Sequence, residues 1–496
     1  MIAVQYNKTD FEYDIYSLIK EFYPREEIRV DTAPFPEEAS LRITVVYGEQ
    51  EISLTAAGEW EELEKLTPEQ RTRRIAVEYD RSRPDTKSAL KKILYELLTD
   101  LSGREQPWGD LTGIRPTKIP MQWLREGLSE DQIRRKMKEN YFVSDRKTEL
   151  ALDIARREKR LLDDLDYRKG YSLYIGIPFC PSICLYCSFS SSPLHVWKDR
   201  VDDYVTALCR EIDQTVPLME PLQLQTIYMG GGTPTTLSPE QMDRVLTHVE
   251  DRFDLSGVRE FTVEAGRPDS ITKEKLEVLR RHGIDRISIN PQTMNQKTLD
   301  LIGRHHTVEE IRECFSMARS LGFTNINADL IVGLPGEGMD EVAHTMEEIR
   351  ALAPESVTVH SLALKRAARL SQMWAEYGEI SFMSSDRIME HTGEVCAQMG
   401  LVPYYLYRQK NMAGNFENVG YALPGQECLY NILIMEEVQS ILALGAGAST
   451  KIIFPDEHIE RVENVKDIRS YLERTDEMIA RKSVIPSMIA GTWKKN

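Results

Sequence analysis

With 496 residues, 41% of them hydrophobic, the chain is long enough for roughly three domains with sizeable cores. Its formal charge of -17 argues against a general affinity for nucleic-acid backbones. No run of about 18 apolar residues is present to span a membrane. The start, MIAVQYNKTDFEYD, lacks the basic-then-apolar pattern of a secretory signal, so the expectation is a cytoplasmic protein.

Residues 1–165 form the first expected domain, a small α/β unit without cysteine. Phe11 to Tyr23 has apolar residues at helical spacing, Leu41 to Tyr47 and Gln50 to Ala56 alternate like paired strands around Gly48, and Ser88 to Leu101 is again helical. The turn-rich run PWGDLTGIRPTKI, Pro107 to Ile119, comes next. Its Trp108, Asp110, Thr112 and Arg115 suit either contact with an anionic substrate or a tight interdomain turn around a buried Trp. Ser129 to Asp166 reads as a charged helical stretch with a solvated face.

The second domain, 166–380, opens with the stretch that organises the chain, YSLYIGIPFCPSICLYCSFS. A β-branched strand delivers Cys180, Cys184 and Cys187 to one loop at Cys-x3-Cys-x2-Cys spacing. Thiolates are the soft ligands that iron-sulfur clusters require, and three of them leave one iron of a four-iron cluster open. A structural zinc instead wants a fourth Cys or His, for which His195 is the nearest candidate. The other four cysteines, Cys209, Cys314, Cys396 and Cys428, are scattered and read as small buried hydrophobes outside any disulfide framework.

Strand-like runs then alternate with helical ones: Leu173 to Ile177, Thr226 to Met229, Phe261 to Glu264, Arg286 to Asn290, Asn325 to Val332 and Ser356 to His360. Six β-α repeats predict a parallel sheet curling toward a partial (β/α)6 barrel, with its chemistry at the carboxyl ends of the strands. Helix starts are signalled by Ser238-Pro-Glu-Gln241 and Thr307-Val-Glu-Glu310, both capping boxes. At the strand ends stand the glycine run Gly230 to Gly232 with Thr233, then Glu264, Gln292 and Asp329.

The cysteine spacing after an aromatic, apolar strand resembles the radical S-adenosylmethionine (SAM) superfamily. IPFCPSICLYCSF is similar to its oxygen-independent coproporphyrinogen III oxidase family. The resemblance implies a 4Fe-4S cluster on Cys180, Cys184 and Cys187. It also implies SAM contacts from Tyr174, Tyr186, Gly231, Gly232, Thr233, Glu264, Gln292, Arg304, Asp329 and Ala363. Three departures accompany it. Phe189 stands where members that decarboxylate coproporphyrinogen carry a further cysteine, and LYNILIM, with Tyr430 and Asn431, replaces the His-Asn-x-x-Tyr-Trp segment of the heme-chaperone branch. An apolar SAM contact of the family falls on Lys451.

Residues 381–496 are expected to form a C-terminal cover over the barrel mouth. Its YYLYRQKNMAGNFENVGYALPG offers aromatic rings with Arg408 and Lys410, suited to a flat macrocycle bearing carboxylates. Such tyrosines serve equally as the core of a cover. This segment, the long N-terminal domain and WGDLTGIRP together resemble the HemZ branch of the family. The resemblance implies oxidative decarboxylation of coproporphyrinogen III to protoporphyrinogen IX by a monomer, with electrons from a donor such as flavodoxin or ferredoxin. A heme or porphyrin carrier, or radical chemistry on another tetrapyrrole, are the alternatives.

Overall fold

Alternation of apolar and polar residues builds the N-terminal sheet, as seen in a computed structural model that describes residues 1–77, 82–113, 115–189, 191–363, 370, 386–408 and 416–493. By compactness the chain divides into Met1–Ala155 and Arg156–Asn496, the division falling inside the helix Asp145–Asp163. The first unit holds strands β1 (Ile2–Tyr6), β2 (Ile28–Asp31), β3 (Leu41–Tyr47), β4 (Glu51–Gly58) and β5 (Thr72–Ala76), in the order β2-β1-β3-β4-β5. The expected hairpin is β3 and β4, antiparallel with Tyr47 opposite Ile52. Leu41, Ile43, Val45 and Tyr47 alternate into a core shared with the helices Glu12–Phe22 and Arg83–Ser102. The second of these helices is capped by Ser82 and stopped at Gly103, in the left-handed conformation that favours glycine.

The charged stretch from Ser129 to Asp166 is two helices rather than one, Glu130–Tyr141 and Asp145–Asp163. Phe142 takes a left-handed φ of 56° and stacks on Tyr95 with ring centroids 4.8 Å apart. Just beyond it, Ser144 caps the second helix, its hydroxyl accepting from Lys147 N–H at 3.3 Å.

The second unit is organised by an eleven-stranded sheet. Its six central strands, β6 (Gly170–Ile177), β9 (Gln223–Gly231), β10 (Glu260–Gly266), β11 (Arg286–Ile289), β12 (Asn325–Val332) and β13 (Ser356–Ser361), are parallel and stand in sequence order. Two short strands, β7 (Phe179–Cys180) and β8 (Ser192–Pro193), pair outside this sheet and close the base of the cysteine loop. Helices Val201–Thr215, Pro239–Arg252, Lys273–Arg281, Val308–Ser320 and Met339–Leu352 alternate with the parallel strands. This is the alternating α/β array with a parallel sheet that the sequence predicts, and both capping boxes, at Ser238 and Thr307, form.

The C-terminal strands extend both edges of the same sheet. β14 (Val402–Tyr407) and β15 (Asn418–Ala422) join antiparallel beyond β13. On the opposite side β16 (Ser440–Leu444) pairs in parallel with β6, and antiparallel β17 (Ser449–Ile453) and β18 (Ile459–Glu463) lie beyond it. A buried polar knot holds this side together. Glu211 accepts hydrogen bonds from Lys482 at 2.8 Å, Asn464 at 2.7 Å, Tyr471 at 2.6 Å and the Gly445 backbone N–H at 2.9 Å. The four scattered cysteines are all buried and free, and no described helix is long and apolar enough to cross a membrane.

Candidate functional site

β6 ends at Ile177, and the chain runs through Pro178 into β7, which carries the first cysteine. Phe179 anchors it, fully buried and edge-on to Tyr204 with centroids 5.2 Å apart. Cys184 is buried, whereas Cys180 and Cys187 are half-buried. Thr233 donates to Cys180 Sγ at 3.5 Å, and Arg267 Nη1 to Cys184 Sγ at 3.6 Å. Burial raises the Cys180 and Cys187 thiols above their ordinary pKa. The loop is tied down by Leu185 N–H donating to Ile302 O at 2.9 Å and Ser182 Oγ to Gly303 O at 3.3 Å. The thiols share this loop without converging on a point: among the described residues no three His, Cys, Asp or Glu side chains are grouped to hold one metal ion. His195, the zinc alternative, is exposed in the short helix Leu194–Trp197.

The glycine run lies along this loop. Gly232 N–H and Thr233 N–H donate to Ile177 O and Phe179 O, both at 2.7 Å. Gly231 has a φ of 110°, and a Cβ on Gly232 would stand 2.5 Å from Phe179 O. Glycine is thus required here by backbone conformation at one position and close approach at the next.

Beside it, Glu264 on β10 accepts a 2.6 Å hydrogen bond from the Tyr228 hydroxyl on β9. Burial pushes its carboxyl up to about 7, opposed by the Tyr228 bond and reinforced by the charge of Asp329. Asp329, on β12, is also pushed up by burial, yet the neighbouring His360 imidazole and a 2.7 Å hydrogen bond from the Asn327 amide hold it below the usual carboxylate range. His360 Nε2 stands 3.9 Å from Asp329, and the Tyr407 hydroxyl lies 3.4 Å from His360 Nδ1.

Gln292 lies just past β11 with a φ of 69°, its backbone bridging Asp329 O and Ile331 N–H at 2.9 Å each. Arg304 is buried, donating to Asn290 O at 2.5 Å and to the Tyr186 hydroxyl at 3.3 Å, while its Nε has no hydrogen-bond partner. Tyr174 stacks on Tyr228 and on Tyr430, each with centroids 6.4 Å apart, and Tyr228 stacks on Tyr430 at 4.6 Å. Ala363 lies two residues beyond β13, half-buried.

The substrate candidates are spread out. Arg408 is buried just past β14, Arg115 lies in the N-terminal unit, and Lys410 falls outside the described residues. Lys451 is buried on β17, its Nζ 3.4 Å from Glu437. Phe189 is exposed. Residue-by-residue reading missed Tyr228, Arg267 and His360. Their signals were present in the sequence: a Tyr two positions before the glycine run, an Arg three after Glu264, and a His ending the sixth predicted strand.

The sequence model of the Radical SAM superfamily matches residues 174–349. The oxygen-independent coproporphyrinogen-III oxidase-like protein HemZ of Bacillus subtilis (strain 168) is 45% identical over 402 residues, 79% of this chain and 80% of that protein. The heme chaperone HemW of Lactococcus lactis subsp. lactis (strain IL1403) is 31% identical over 340 residues, covering 66% and 83%. A solved structure, coproporphyrinogen III oxidase (HemN) from Escherichia coli, is 22% identical and covers 67% of this chain and 79% of its own, with a TM-score of 0.49.

Radical SAM proteins use a 4Fe-4S cluster and SAM. The donor chemistry fits both: three thiols with an arginine and a threonine directed at their sulfurs, and beside them a recessed carboxylate and a buried arginine with an unused Nε donor. The chain therefore belongs to the radical SAM superfamily and, within it, to the family of coproporphyrinogen-III-oxidase-like proteins that includes HemZ.

Proposed function

We propose that this protein oxidatively decarboxylates coproporphyrinogen III to protoporphyrinogen IX. The observation that carries the reading is the joint placement of the cysteine loop, the glycine run, Glu264 and Arg304 at the carboxyl ends of the parallel strands, in a chain 45% identical to HemZ. Cys180, Cys184 and Cys187 would hold the cluster. The backbone of Gly231 and Gly232 with Thr233 would take the amino group of SAM. Glu264 is suited to ribose hydroxyls, and Gln292, Arg304, Asp329, Tyr174, Tyr186 and Ala363 would complete the contacts. When bound, the cluster and SAM supply a hydrogen-abstracting carbon radical. The protein's part is to place the substrate propionate beside it and to exclude water.

Residues 381–496 would cover the tetrapyrrole, with Arg408 and Lys410 paired to its carboxylates. The protein would act as a cytoplasmic monomer reduced by a flavodoxin or ferredoxin. The test is anaerobic incubation of the reconstituted protein with SAM, reductant and coproporphyrinogen III. Loss of carbon dioxide from two propionates, matched by 5'-deoxyadenosine and absent in Cys184→Ala, supports the reading.

Phe189 and the HemW relative favour a second reading, a heme carrier. Tyr430, in place of the chaperone branch's His, opposes it. Tight heme binding without either product would establish the carrier, and deoxyadenosine with a different product mass would indicate another tetrapyrrole.

A further inference from the structure

Arg267 is the one cation whose guanidinium is directed at a cysteine of the proposed cluster loop among the described residues. Its Nη1 faces Cys184 Sγ at 3.6 Å and Ser182 O and Oγ at 2.9 Å each. Its other edge grips Asp269 through Nε at 2.9 Å and Nη2 at 2.6 Å. The local fold explains the placement. β10 loses its register with β11 between Glu264 and Gly266, and Gly266 turns at a φ of 67°, which returns residue 267 toward the cysteine loop. Pro268 to Ser270 then form a short 3-10 turn that brings Asp269 back onto the guanidinium.

Both charges are recessed, the Arg267 side chain 4% exposed and Asp269 20%. A cation that donates to a cluster thiolate stabilises the more negative, reduced state. Cluster potentials depend on the net charge and hydrogen bonds around their sulfurs. Asp269 opposes that effect, so the pair forms a balanced dipole with its positive end on Cys184. Asp269 Oδ1 lies 4.0 Å from Nδ1 of His306, a buried imidazole that burial first and Arg304 second hold neutral, with its pKa down to about 3. In the intact protein that neutral ring adds no second cation beside the pair.

We propose that Arg267 and Asp269 set the reduction potential of the cluster, Arg267 raising it and Asp269 lowering it. The inference rests on Cys184 being a cluster ligand. The step concerned is transfer of one electron from an external reductant to the oxidised cluster, with no bond made or broken.

The experiment is an anaerobic redox titration of the reconstituted full-length protein without SAM, with dithionite as reductant, monitored by electron paramagnetic resonance. Iron and sulfide contents are measured in parallel. Arg267→Gln is expected to lower the reduced-to-oxidised ratio at a fixed potential about tenfold, equivalent to about 59 mV for a one-electron couple. Asp269→Asn is expected to shift it in the opposite direction, and Arg267→Lys to recover most of the wild-type value. A merely structural role would move both neutralising variants the same way, or leave loaded variants at the wild-type potential, and either result overturns the inference. If Arg267→Gln does not load, Asp269→Asn decides alone: a potential at or below wild type overturns it. A wild-type protein that takes up no cluster refutes the cluster reading itself, which is a separate outcome.

Discussion

Tyr228 shows how a single hydroxyl governs the proposed SAM pocket. As a proposed ribose contact Glu264 would accept as a carboxylate, and burial pushes its pKa up to about 7, so this form is lost as pH falls through neutrality. The hydroxyl of Tyr228 stabilises the ionised form, and hydrogen bonds to charged groups are worth about 1.5–3 kcal/mol. Tyr228→Phe is therefore expected to weaken SAM binding at neutral pH by roughly tenfold or more and to move the pH midpoint for binding upward, both readable by calorimetric titration. The same group has a sign for stability. Its folded pKa lies above the unfolded value of 4.5, so the folded state binds more protons between 4.5 and about 7, and stability falls as pH rises through that window. Glu264→Gln should remove this slope from urea-unfolding curves measured across that window. Glu264 was legible in the sequence because it ends a strand. Tyr228 stands in the sequence two positions before the glycine run, but its partner could not be read there, because the pairing depends on β9 lying beside β10 in this register.

Between elements, two contacts carry most of the site's shape. The glycine run packs on the cysteine loop so closely that Gly232→Ala would set a methyl group 2.5 Å from Phe179 O, and the two backbones would have to part. The expected result is loss of iron on reconstitution with little change in circular dichroism. The second contact is the Glu211–Lys482 pair, both side chains fully buried. Glu211 orients the Gly445 N–H, and Tyr204 links Gly176 O and Ala446 N–H, so this knot fixes the carboxyl end of β6 just before the cysteines. Removing one partner of a buried pair costs about 3–5 kcal/mol. Lys482→Met should lower stability by that order, with Glu211→Gln/Lys482→Met recovering part of it, as measured by urea unfolding. The parallel strands were readable because each is a short apolar run bounded by turn residues and helix caps. β16 was hidden: SILAL reads like any buried segment, and its pairing with β6 joins strands far apart in the chain, Ser440 lying opposite Tyr171.

For the whole molecule, length and cysteine spacing set the class of chemistry, and the sheet places it. The scattered cysteines, the capping boxes and the six-stranded array lie where local pattern puts them. The continuity of the C-terminal strands with the central sheet is a long-range outcome that composition and periodicity do not encode. The break at Phe142 shows up not in helical spacing but in Ser144, which caps the following helix. Those long-range pairings place Tyr407 beside His360 and Tyr430 on Tyr228, so the C-terminal segment lines the same interior as Glu264 and Asp329. Whether that interior decarboxylates a tetrapyrrole is tested most directly by measuring 5'-deoxyadenosine and porphyrin mass together in one anaerobic reaction with SAM, reductant and coproporphyrinogen III. The expected outcome is loss of carbon dioxide from two propionates with matching deoxyadenosine, both abolished in Cys184→Ala. Unchanged coproporphyrinogen in a fully cluster-loaded protein would contradict the decarboxylase reading.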